Sequence, residues 1–326
     1  MSDATARSST DPIGIRWFDT GTYMSTVADA RALPAPLTVA GIVWTPTRLR
    51  ALRHGLWFAA FLYCIASLGW ALSDLSGVDA HAYWSSWRNG LYSAGPEQRD
   101  AYLYSPVFAQ VLWPLTLLPW PVFYGLWTAA AIAAFAWLLA PLGLRWAIPL
   151  ILICMPEIEA GNVWPFFALV LVLGFRFPAA WSFPVLLKVT PGVGVLWFAA
   201  RREWRRAAVA IVVALGIAGV SFAFAPGLWT EWIRLLLHPS DFTNPARETL
   251  TPMLHFPAAA RLGVGLPLSA ALTIYAARKD RPRLLPMAML LASPVTGLNA
   301  VALLAAIPRM GHTGAATPPQ TPISDE

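Results

Sequence analysis

The stretch Arg201–Ala225, RREWRRAAVAIVVALGIAGVSFAFA, decides the fold. Its first six residues carry four arginines, and no charge follows between Ala207 and Ala225. An uncharged apolar run of about 20 residues matches the thickness of a bilayer's hydrocarbon core when wound as a helix. Arginine clusters beside such a run stay on the cytoplasmic side. The segment therefore predicts one membrane span with its N-terminal end inside.

The rest of the chain agrees. Of 326 residues, 57% are hydrophobic and only 12% are charged, against about 25% charged in soluble domains. The 17 tryptophans fit the lipid–water interface, and the 29 prolines fit helices broken at membrane depth. The net charge of +6 comes largely from arginines between apolar segments, such as "RKDRPR" at 278–283. It marks topology, and no nucleic-acid partner is expected. Cys64 and Cys154 both sit in apolar runs and read as small core residues. The N-terminus lacks a basic region followed by an apolar one, so no cleaved signal peptide is expected.

The composition predicts an all-α polytopic membrane protein. A cytoplasmic arm (1–47) precedes a membrane domain (48–310) and a disordered polar tail (311–326). Gly55 to Leu72 reads as the first span, with "RLRALRH" on its inner side. The polar loop that follows, 73–103, would emerge outside and hold an amphipathic helix around "AYWSSWRNGLY". "LLPWP" at 117–121 breaks the next apolar stretch into two helices. Further on, several apolar pieces between 122 and 200 are too short to span alone, and such helices must be buried in protein or line a cavity. Lys188 and Pro191 predict a break inside Ala179–Ala200, which leaves Lys188 and "EIEAGN" (157–162) free to face outside. The total comes to about nine to eleven membrane segments, some short or broken.

Ionisable side chains in such a chain are costly and need a reason. Asp79 follows the first span, where a partly desolvated carboxylate could act as a general base; the plain alternative is a loop acid or helix cap. Lys188 stands alone in "FPVLLKVTPGVGVLWF". Either it holds an anion such as a phosphate, or it pairs internally with Glu157 or Glu159. Asn162 closes "EIEAGN" and suits a cap or a cavity wall equally, whereas Glu159 favours capping. Tyr104, at the membrane entrance, belongs to an aromatic belt or stacks on a sugar. Arg88, His81 and Tyr83 share the first outside loop with Asp79 and are candidates for lining a cavity. No phosphate-binding glycine loop, nucleophile elbow or metal motif occurs, so no cofactor and no metal site are expected.

Taken in order, "DAHAYW", "YLYSPVFAQVLWPLTLLP", "EAGN", "LLKVTPG", "RREWRR" and "LLASPVTGLN" resemble a known pattern. It is that of the polyprenol-phosphate-dependent glycosyltransferases of GT-C fold, specifically the actinobacterial alpha-mannosyltransferase family, glycosyltransferase family 87. The resemblance covers roughly residues 50–308. It implies a GT-C-like helical bundle in the plasma membrane with its active site on the extracytoplasmic side. Such an enzyme moves mannose from polyprenyl-phosphate-mannose to a hydroxyl of a glycolipid or lipoglycan, with inversion and an alpha-1,2 linkage. By resemblance Asp79 is the general base, and Lys188 with Pro191 matches a Lys-x-x-Pro element. Gly161 and Asn162 match a glycine–amide element in which Trp164 replaces a second amide. Tyr104 opens a Tyr-Pro-Pro element in which Ser105 replaces the first proline. The donor phosphate and sugar would then meet Lys188, Asn162 and Tyr104, with His81, Tyr83 and Arg88 as further candidates. A member using another lipid-linked sugar, a transporter or lipid flippase, and a membrane scaffold are the alternatives; a transporter predicts an inverted repeat, and none is visible.

Overall fold

The structure is a computed structural model. It describes residues 37–39, 42–71, 76–188, 192–245, 261–293 and 298–311. Most of the predicted arm, the polar tail beyond Gly311, Pro191 and the loop from 246 to 255 lie outside the described residues.

The chain divides into a small unit, Met1–Leu52, and a large one, Arg53–Glu326. In the small unit, strands β1 (Leu37–Val39) and β2 (Ile42–Trp44) pair antiparallel, with Thr38 opposite Val43. This hairpin is the one departure from an all-helical reading among the described residues. The remainder is helical in chain order. Helix α1 is Pro46–Ala71, α2 Val78–Asn89, α3 Pro106–Thr116, α4 Trp120–Leu139, α5 Leu144–Ile153 and α6 Met155–Ala160. There follow α7 (Trp164–Leu173), α8 (Ser182–Lys188), α9 (Val193–Ala200), α10 (Trp204–Phe224) and α11 (Pro226–Leu237). Helices α12 (Leu266–Arg278) and α13 (Leu285–Ala292) precede a 3₁₀ helix at Leu298–Arg309.

Among the described residues, three helices are long and apolar enough to cross a membrane: Pro46–Gly69, Trp120–Leu142 and Trp204–Phe224. Helix α10 shows how they pack. Its buried residues are Ala207, Ala210, Ala214 and Ser221, all small and on one face. Its large side chains point outward, with Val212, Leu215 and Phe224 exposed at 65%, 66% and 84%. Small faces inward and bulky apolar faces outward are what lipid selects, because close backbone approach, not apolar burial, drives helix association there. Helix α1 follows the same rule, burying Ala60 and exposing Phe58 and Phe61. This is a helical polytopic membrane protein.

Prolines and glycines cut the remaining segments where the sequence predicts. Pro119 sits at the cap of α4 and separates it from α3. Helix α8 is described as far as Lys188, and α9 begins at Val193 after Gly192, whose ψ of 30° is not helical; residues 189–191 lie outside the described residues. Short helices in this region are buried against one another: α9 packs on α10 and α12, and α7 on the 3₁₀ helix. Their backbone ends are thereby kept from lipid.

Helix α2 forms where the first loop predicts an amphipathic helix, with one buried face and with Trp87, Arg88 and Asn89 exposed. It buries Ala80, Ala82, Tyr83, Ser85 and Ser86 and packs against α3, α4 and α6. Of its aromatic residues Tyr83 fills the core, Trp84 is half-buried and Trp87 stays exposed. Tyr83 lies 5.4 Å from the Trp127 ring and 5.2 Å from Phe108.

The two ends of α10 carry different neighbours. At its start, Arg201 bonds Glu203 Oε1 at 2.8 Å and Asp280 Oδ1 at 2.9 Å. The two basic clusters, "RREWRR" and "RKDRPR", are thus held together. At its far end, the Ser221 hydroxyl accepts a bond from Trp229 of α11. Beyond it Trp232 donates to the Leu103 carbonyl, and Gln98 donates to the Asn244 carbonyl at 2.7 Å. The loops before α3 and after α11 therefore meet at the end of α10 opposite the basic residues.

Candidate active site

The site is assembled where α2 crosses α6. Gly77 caps α2 with φ 72°, and its N–H donates to the Glu159 carbonyl at 2.9 Å. The Tyr124 hydroxyl donates to the same carbonyl at 2.8 Å. Glu159 thus anchors α2 through its backbone, and its side chain makes no helix cap. Gly161 ends α6 with φ 74°, and a Cβ there would stand 2.4 Å from the Ala80 Cβ. Only a glycine lets the two backbones come this close. Replacing Gly161 by Ala should cost roughly 2–4 kcal/mol, from the left-handed backbone plus overpacking against Ala80. A thermal-unfolding scan of the variant checks this, and an unchanged Tm would refute the close approach.

That crossing places Asn162 against Asp79. The Asn162 Oδ1 accepts from the Val163 N–H at 2.7 Å, which orients the amide. Its Nδ2 then donates to Asp79 Oδ2 at 2.8 Å. Asp79 lies in the first turn of α2 and caps nothing. Lys188 is close enough to act on Asp79 electrostatically. The Lys188 ammonium lies 4.2 Å from the Trp164 ring centre and 5.6 Å from that of Tyr104. Tyr104 shares a 3.1 Å hydroxyl contact with Tyr83, which stands one helical turn after Asp79. Five of the seven residues expected from sequence therefore converge: Asp79, Asn162, Lys188, Tyr104 and Tyr83.

Asp79 is outside the membrane-spanning helices. Removal from water pushes its carboxyl above the ordinary carboxylate range, and the Lys188 charge and the Asn162 bond pull it back. The result is a carboxylate aligned by one donor, with an unusually high proton affinity. Among the described residues no cluster of three or more His, Cys, Asp or Glu side chains is arranged for a metal ion.

The other two expected residues are engaged elsewhere. His81 Nδ1 meets Asp100 Oδ1 at 2.6 Å, and its ring packs on Trp84 and Trp120. Arg88 donates to the Trp84 and Thr116 carbonyls at 2.7 and 2.6 Å and lies over the Trp84 ring. Both face away from Asp79 on α2, as two- and nine-residue spacings on a helix require.

Two further residues join the cluster: Trp164, to which the sequence gives no such place, and Glu157, which it offers as an internal partner of Lys188. Trp164 supplies the face on which Lys188 sits, where the family pattern has an amide. Glu157 is 1% exposed, neither carboxyl oxygen has a hydrogen-bond partner among the described residues, and it interacts electrostatically with Asp79 and Lys188. Its position inside the helix-breaking "EIEAGN" marks it as polar, but only the fold shows that it turns inward.

Comparison with known proteins adds the chemistry. The family model for glycosyltransferase family 87 matches residues 102–308, more than half of the chain. None of the curated proteins, and none of the solved structures, matches the chain significantly. The matched range holds Tyr104, Asn162, Trp164 and Lys188, with Asp79 brought to them by the α2–α6 crossing. Its membrane helices and this match together make the chain a membrane glycosyltransferase, which sets aside the transporter and scaffold readings. The protein belongs to glycosyltransferase family 87.

Proposed function

We propose that the protein transfers mannose from a polyprenyl-phosphate donor to a hydroxyl of a glycolipid or lipoglycan at the outer face of the plasma membrane. The observation that carries this is the convergence of one oriented carboxylate, one half-buried cation and two tyrosines. A lipid-phosphate donor brings its own leaving group. The protein then has to supply a base and a positive charge, and it needs no nucleotide loop.

Asp79 takes the proton of the acceptor hydroxyl. The oxygen attacks the anomeric carbon while the bond to the donor's phosphate oxygen breaks. That oxygen leaves with the bonding pair, and the Lys188 ammonium offsets its charge. Direct displacement inverts the centre, so a beta-linked donor gives an alpha-linked product; the alpha-1,2 linkage follows the family resemblance. Asn162 holds the Asp79 carboxylate in line. Tyr104 and Tyr83 back this cluster from the core side through their paired hydroxyls, and Tyr104, the more exposed of the two, is the one placed to meet the sugar. The opposed ends of α10 support the sidedness. The basic clusters gather at its start, and the loop carrying Tyr104 sits toward its far end.

The test is transfer of labelled mannose from polyprenyl phosphate to extracted membrane glycolipids by the purified chain. Lipid-linked donor should be consumed and nucleotide-sugar left untouched; the reverse preference refutes the reading. The pH profile carries a second expectation. Asp79 must be ionised to act, and burial raises its proton affinity. Turnover should therefore be full at high pH and fall as pH drops through an acid limb above the ordinary carboxylate range. A limb at the ordinary value would show that Asp79 works from a solvated position.

A further inference from the structure

The basic end of α10 carries a surface that sugar transfer does not use. The clusters at 201–206 and 278–283 hold eight of the chain's 23 basic residues and two of its 17 acids. Helices α9 and α12 pack on each other and end side by side, one before each cluster. Both turns are held in the left-handed region by residues other than glycine, Arg202 at φ 59° and Asp280 at φ 48°. Each turn is closed by a hydrogen bond across its helix end. The Glu203 N–H donates to the Phe198 carbonyl and the Arg281 N–H to the Ala276 carbonyl, both at 2.8 Å. The backbone that presents these cations is therefore fixed.

The charges on this surface do not balance. Half-buried Arg201 bonds both Glu203 and Asp280, and Arg206 bonds the other Glu203 oxygen at 2.9 Å. Both acids are thereby engaged by two arginines. Arg202, Arg205, Arg278, Lys279 and Arg281 are exposed and make no ion pair among the described residues. Cations gathered on two adjoining turns repel one another, and an anion among them relieves that repulsion. Depth says which anion. Trp204 stands between the arginines, 63% exposed, as an aromatic does at headgroup level. Val209, four residues past Arg205 and about 6 Å further along the helix, already belongs to the outward apolar face. The cations thus stand at the depth of lipid phosphates, too close to the bilayer for a nucleic acid.

We infer that this surface is a binding site for anionic phospholipid headgroups of the cytoplasmic leaflet, whose phosphates are held by Arg202, Arg205 and Arg281 with Arg278 and Lys279 beside them. A zwitterionic headgroup carries its own ammonium, which the same cations repel. The site lies at the end of α10 opposite the Tyr104 loop, so it is separate from the sugar-transfer site. It spans the ends of α9 and α12 and the start of α10, and a headgroup bound there clamps the three helices together. Binding to the folded chain alone then adds to its stability.

The probe is dioleoylphosphatidylglycerol, offered with an equal amount of dioleoylphosphatidylcholine to the full purified chain in detergent, and native mass spectrometry reads the lipid retained. The wild type should keep at least about tenfold more phosphatidylglycerol than phosphatidylcholine. Combining Arg202→Gln, Arg205→Gln and Arg281→Gln should bring phosphatidylglycerol down to the phosphatidylcholine level, since each cation near the surface contributes about fivefold. Lys at the same three positions keeps the charge and should keep the preference, which guards against a folding defect. Combining Arg48→Gln, Arg50→Gln and Arg145→Gln removes three exposed charges elsewhere and should change nothing. Millimolar inorganic phosphate should not displace the lipid. In nanodiscs, phosphatidylglycerol should raise the Tm of the wild type above its value in phosphatidylcholine alone, and the triple Gln variant should lose that rise. Equal retention of the two lipids, an equal loss on removing the distant charges, loss in the Lys variant, or displacement by phosphate would each overturn the inference.

Discussion

Asp79→Asn should lower sugar transfer by roughly 10²–10⁴-fold, the usual contribution of a general base, with the Tm unchanged. The substitution is close to isosteric. Its side chain still fills the space beside Asn162, and one of the two amides can turn to keep the 2.8 Å contact. Helix α2 stays anchored because Gly77 and Tyr124 bind the Glu159 carbonyl, not Asp79. What is lost is the ability to accept a proton. A single-turnover measurement with saturating donor and acceptor separates the chemical step from binding. Wild-type turnover by the Asn variant would remove Asp79 from the mechanism.

Lys188→Met should reduce kcat by roughly 10²–10³-fold, the scale seen when one charge-stabilising group is removed from a developing anion. Met keeps the apolar stem and its packing on Trp164 but carries no charge. A second effect distinguishes this role from a structural one. Lys188 pulls the Asp79 carboxyl downward, against the effect of burial. Without it Asp79 holds its proton more tightly, so the acid limb of the rate profile must move to higher pH. Lys188→Arg, which restores the charge, should move the limb back. A variant that loses activity through instability alone would keep the wild-type limb in its surviving fraction.

The sequence is most informative where a single residue type leaves one physical choice. The span Trp204–Phe224 follows from an uncharged run behind four arginines. The break at Pro119 follows from proline chemistry. Asp79, Asn162 and Lys188 are legible as polar groups that lipid would not tolerate without cause, and the fold brings them together. What the sequence hides depends on long-range packing. The two tryptophans and the tyrosine of "AYWSSW" fit an interfacial helix or a core helix equally well; only the packing of α3, α4 and α6 on one face of α2 buries Tyr83 and leaves Trp87 exposed. His81 and Arg88 share that helix with Asp79, yet helical geometry turns them to other partners. Glu157 and Glu159 are two residues apart in one short helix, and nothing local says that Glu157 is the one turned toward Asp79 and Lys188. The Lys188–Trp164 contact joins two helices, and sequence patterning contains no signal for such a pair.

The central claim is that donor phosphate and acceptor hydroxyl meet between Lys188 and Asp79. Electron cryomicroscopy of the full chain with a non-transferable polyprenyl phosphonate–mannose tests it most directly. The account predicts phosphonate density within salt-bridge distance of the Lys188 ammonium, with the anomeric carbon facing the Asp79 carboxylate. Phosphonate density at another cation, with the Asp79–Lys188 cluster left unoccupied, would contradict it.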